Sequence, residues 1–103
     1  MKNKAKETEL TMDMIMKMSP ETFRDIMKGQ PLGFKQSLLN LLKVNFEQCN
    51  LLKDSILVIL DKANITDEER KENEKALKDL YLCLQLIEDR YTILDILVKE
   101  ALN

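Results

Sequence analysis

The chain has no histidine and no tryptophan, only two glycines, two prolines and two cysteines, and 5% aromatic residues. Each shortage excludes something. Without histidine, the commonest general base and the commonest transition-metal ligand are missing, and most catalytic templates fail with them. Nothing in the sequence supports catalysis, a metal or a cofactor, so the expectation is a protein that is not an enzyme. Four turn-forming residues of these two kinds in 103 leave little material for hairpin loops, which favours a few long helices over many short strands. Two cysteines with no secretory signal do not make a disulfide framework. Cys49 and Cys83 both fall inside apolar helical pattern, and are expected to be buried, free thiols in a reducing cytoplasm.

Charge of one sign is also scarce: 16 basic residues against 18 acidic ones give a net charge of −2, spread along the chain. A nucleic-acid interface needs a concentrated positive field, so nucleic acid is not the expected partner. Lys2, Lys4 and Lys6 resemble the start of an export signal, but Asp13 and Lys17 interrupt the apolar region such a signal requires. No run is long and apolar enough for a membrane span. Met12, Met14, Met16 and Met18 offer soft thioethers that suit Cu(I), yet methionine at such spacing is ordinarily core or interface material. Glu68, Glu69, Glu72 and Asp79 do not complete the magnesium-holding acidic pairs of all-α nucleotide pyrophosphatases. Glu88 is followed three positions later by Tyr91, and no facing helix supplies matching acids.

What is present is helical pattern. Residues 1–8 are polar and read as a disordered tail, and residues 9–103 as one helical domain. Leu10, Met14, Ile15 and Met18 predict a short helix, although the methionines also alternate with the period of a strand. Ser19, Pro20 and Glu21 form a helix start, with serine as cap and proline where no N–H is needed. That helix should end at Gly29, with Gln30, Pro31, Leu32 and Gly33 as the connection. Beyond Phe34 neither glycine nor proline recurs, and Leu38, Leu42, Asn45, Cys49, Leu52, Ile56, Ile59 and Ala63 alternate by three and four. This predicts a helix of about 30 residues, roughly 45 Å long. Thr66 and Glu69 then make a capping box. The last helix carries a heptad seam of Leu77, Leu84, Tyr91 and Val98 with Leu80, Ile87, Leu94 and Ala101. The short connection makes the two long helices antiparallel neighbours, so the expected fold is all-α: two short helices and a long helical hairpin in an oligomeric bundle.

Oligomerisation follows from apolar surface without a partner. In a hairpin turning near residue 65, positions whose numbers sum to about 130 lie level. Ile56, Leu57, Val58, Ile59 and Leu60 then meet Arg70, Lys71, Glu72, Asn73 and Glu74, which offer little apolar surface. Leu82, Leu86, Ile93 and Ile96 form a second apolar stripe on the last helix. The expected interface is therefore Ile56, Leu57, Ile59 and Leu60 with that stripe, and the expected partners are further copies of the chain and another protein. The function this implies is a cytoplasmic, non-enzymatic adaptor or inhibitor. Its small size and its Lys-, Asn- and Ile-rich composition suit a phage or mobile-element product.

The alternative is a receptor or sponge for a small anionic, nucleotide-like ligand held between subunits. Its candidate residues are Arg24, Lys28, Gln30, Gly33, Lys35 and Gln36 around the one irregular segment, with Tyr81, Arg90 and Tyr91 on the last helix. A helix N-terminus presents unpaired N–H groups and partial positive charge, and glycine there allows close approach. Arg90 has two other readings, a pair with an acidic neighbour such as Glu88 or plain solvation. Asn45 in the seam reads either as a register-setting polar residue or as an exposed one.

Overall fold

The computed structural model describes residues 11–103, so the expected tail lies outside the described residues. Among the described residues four helices follow one another: α1 Met12–Lys17, α2 Pro20–Lys28, α3 Leu32–Leu60 and α4 Asp67–Leu102. The protein is all-helical, with α3 and α4 packed as a long pair.

Local chemistry starts three of the four helices. Thr11 caps α1 by accepting the Met14 N–H at 3.1 Å, which settles the methionine run as helix rather than strand. Ser19 caps α2 in the same way through Thr22, with Pro20 in the first turn. In α4 the Thr66 hydroxyl accepts from the Glu69 N–H at 3.1 Å while the Glu69 carboxylate accepts from the Thr66 N–H at 2.9 Å. The start of α3 differs from expectation. It begins at Leu32 rather than Phe34, because Pro31 supplies the extended N-cap backbone and Gly33 is taken into the first turn. It also ends at Leu60, short of Ala63, with Asp61 as C-cap.

The chain is long and thin, 54 × 35 × 20 Å, and its core sits at one end. α4 is the spine. Phe23, Met27 and Ile15 from the short helices, Leu38 and Leu42 from α3, and Ile87, Ile93, Leu94 and Leu97 from α4 form one buried cluster. Within residues 43–83 only Ile56 is buried. Among the described residues, the end away from the short helices consists of the α3–α4 hairpin alone.

The seam of α3 is less regular than its spacing predicts. Leu38 is buried, Asn45 half-buried, Leu52 exposed and Ile59 half-buried. A straight helix drifts about 20° per heptad, so positions spaced by seven leave the interface unless the helices supercoil. Ile56, expected to lie uncovered at the apex, is instead buried, and it is Leu57 and Val58 that face outward. Asn45 sets no register: its side-chain amide donates to the Leu41 carbonyl of its own helix. Ala63 and Ala101 are exposed.

Candidate binding surfaces

Helical rotation of about 100° per residue gives the hairpin two flanks, each formed by one side of α3 and one side of α4. On the first, a groove of about 370 Å³ lies between Phe46, Ile87 and Tyr91, with Lys43, Glu47, Asn50 and Glu88 at its rim. Two carboxylates against one ammonium leave an excess of negative charge, which does not favour an anion. Of the nine residues expected for an anionic ligand, only Tyr91 lines this groove.

The other eight lie elsewhere. Arg24 and Lys28 are exposed on α2, Gln30 is half-buried between α2 and α3, and Gly33 and Gln36 are exposed at the start of α3. A Cβ on Gly33 would meet open space, so no neighbouring protein atom requires glycine there. Lys35 is buried, and its N–H is already donated to the Pro31 carbonyl at 3.1 Å. Tyr81 is exposed, about 15 Å before Tyr91 along α4. The groove residues Phe46 and Ile87 fall level under the hairpin rule, which is the signal that could have found them.

Arg90 pairs with an acidic neighbour, as one reading of the sequence has it, but it also has a task that the sequence does not suggest. Only 3% of its surface is exposed, on the flank away from the groove. Its Nε donates to the Ile15 carbonyl at 3.3 Å and Nη2 to the Met18 carbonyl, with a longer contact to Met16 at 3.5 Å. These are carbonyls at the end of α1, where helix geometry provides no internal donors. The acidic partner of Arg90 is Asp89 rather than Glu88, and the guanidinium lies 5.8 Å from the centre of the Phe23 ring. A side chain from α4 thus caps α1 and locks the short helices onto the spine.

The second flank carries the apolar surface. Leu82, Leu86, Ile93 and Leu97 follow one stripe on α4 at helical spacing. The short helices pack on α4 at its C-terminal end, where Ile93 and Leu97 are buried, while Leu82 and Leu86 stay exposed towards the apex. Ile96, assigned to the same stripe by sequence, is turned away from it and exposed. On α3, Leu51, Leu52 and Val58 are exposed by 54–68%, and Ile59 and Leu60 are half-buried.

Cys49 is half-buried and Cys83 exposed, so only one of the two thiols has the expected shelter. Loss of solvation, with a further contribution from nearby Cys83, pushes the Cys49 thiol above its ordinary range. No helix among the described residues is long and apolar enough to cross a membrane. Set against family models, curated proteins and solved structures, the chain matches none.

Proposed function

We propose that this chain is a homo-oligomeric, non-enzymatic helical binding protein, acting as a small adaptor or inhibitor through apolar contacts in the cytoplasm. One observation carries the reading: within residues 43–83 a single side chain is buried, yet Leu51, Leu52, Leu57, Val58 and Leu82 remain exposed there. Leu51, Leu52 and Val58 share the side of α3 away from the groove, and a monomer rarely leaves a large apolar patch in water. Burying each of these half-exposed or more exposed side chains contributes about 1–2 kcal/mol. The groove supports the anion-sponge reading less, because its rim is net acidic and Arg90 is committed to backbone carbonyls.

Light scattering across a micromolar concentration range tests the proposal. The expected result is a mass at least twice 12.0 kDa, reduced by Ile59→Lys, which would place an unpaired charge in an apolar contact. A 12.0 kDa particle at every concentration overturns it.

A further inference from the structure

Resting on self-association, we infer that two copies pack antiparallel through the open flank, about a two-fold axis that passes beside Ser55. The first support is shape. The short helices add a second layer at one end only, and that layer stops near Arg90, level with about residue 42 of α3. Each molecule is thick at one end and thin at the other. An antiparallel mate lays thin half on thin half, with each thick end abutting the other's apex. A parallel mate would bring the two thick ends into collision. The open length of about 20 residues spans roughly 30 Å, and two helices side by side are roughly 20 Å wide. That footprint of about 600 Å² on each partner reaches the lower bound of a stable interface, about 1,200 Å² in total.

The second support is a symmetry in the residues themselves. Leu51 and Leu52 stand four and three positions before Ser55, and Val58 and Ile59 three and four after it. All four lie within about 60° of Ser55 around the helix, and Ser55 itself stands roughly 140–180° from Phe46 and Asn50 of the groove. A two-fold at Ser55 sets Leu51 against the second copy's Ile59 and Leu52 against its Val58. Such a two-fold requires a self-complementary patch. Serine at the axis permits close approach, and its hydroxyl already donates to the Leu51 carbonyl at 3.1 Å, so covering it leaves no unpaired donor.

The third support is charge. Counted along both helices from Phe46 and Ile87, which share the groove, Ser55 falls level with about residues 77–78 of α4, between Lys75 and Asp79, both on the open flank. The same axis brings each Lys75 to the other copy's Asp79, and neither is in an ion pair among the described residues.

The test uses the full chain with Cys49→Ser and Cys83→Ser, spin-labelled through Asn64→Cys at the apex or Lys78→Cys near the axis. Distances are measured within the assembled protein. The antiparallel pair places Asn64 labels about 30 Å apart along the hairpin and Lys78 labels close together. Short distances at both sites, in a protein whose mass is that of an oligomer, overturn this arrangement but leave self-association standing. A monomeric mass overturns both. Lys75→Glu and Asp79→Lys should each weaken association roughly two- to fivefold, and together restore it. Failure of the double variant to recover overturns the axis position. Ser55→Arg should yield a monomer whose helical circular dichroism is unchanged, and an intact dimer in that variant also overturns the axis.

Discussion

Replacing Arg90 asks whether one buried guanidinium holds the short helices on the hairpin. Its firm acceptors are the Ile15 and Met18 carbonyls, and the Met16 contact at 3.5 Å is marginal. Asp89 is 46% exposed, so that pairing contributes little beyond orientation. A hydrogen bond from a charged donor contributes roughly 1.5–3 kcal/mol, and removing the donor leaves buried carbonyls with no partner. Arg90→Met keeps a long apolar stem but no donor, and should cost about 3–5 kcal/mol, the sum of two such hydrogen bonds to the Ile15 and Met18 carbonyls. Arg90→Lys keeps the charge as a point donor that cannot span from Ile15 to Met18, and should cost about 1–3 kcal/mol.

Urea unfolding at one fixed protein concentration reads these differences, since self-association would otherwise add its own free energy to the apparent stability. Hydrogen exchange at the amides of α1 and α2 should accelerate in Arg90→Met more than exchange in the buried part of α3. A double-mutant cycle with Phe23→Leu should show a coupling of about 0.5–2 kcal/mol from the ring facing the guanidinium. If Arg90→Met lies within about 0.5 kcal/mol of the parent, like an ordinary surface substitution, the latch carries no weight and the reasoning fails.

Three smaller effects follow from local geometry. Cys83 should alkylate before Cys49 near neutral pH, because a raised thiol titration leaves Cys49 with less thiolate and burial limits access; equal rates by mass spectrometry would contradict this. Gly33→Ala should stabilise by about 0.5–1 kcal/mol, since the residue is helical and the added methyl meets open space; a loss of stability in thermal melts would show a backbone requirement not seen in this structure. Thr66→Ala should cost about 0.5–2 kcal/mol by breaking the capping box, and an unchanged urea midpoint would count against it.

What could be seen in the sequence was what local chemistry decides. Ser19 with Pro20, and Thr66 with Glu69, act within one turn, so their helix starts need no knowledge of the fold. The long helices were legible because glycine and proline are absent from them after Gly33. Burial was harder to read. Leu52 carries the same heptad letter as Leu38 yet faces out, because accumulated rotation depends on whether the pair supercoils. The task of Arg90 was invisible, since its acceptors lie 72 to 75 positions earlier and are backbone atoms, which no side-chain pattern marks. Lys35 reads as a surface cation at a helix start but is buried, a consequence of packing rather than of its own helix.

The uneven distribution of the core bears on how folding and assembly are related. At the thick end, aromatic and aliphatic side chains from all four helices share one cluster, and Arg90 ties the first of them down. At the thin end, helical regularity rests on local devices and on little more than Ile56. Isolated helices are marginal in water, and a two-helix ribbon adds only one buried stripe to each. Leu51, Leu52 and Val58, which fail to bury themselves in this half, are among the residues that repeat symmetrically about Ser55. An apex that needs a partner to be rigid, and a partner surface the chain itself can supply, are two consequences of the short helices covering only one end of the spine. On that view the length of the N-terminal pair is what keeps the other half available: helices long enough to cover Leu82 and Leu52 would complete the monomer and remove its reason to associate.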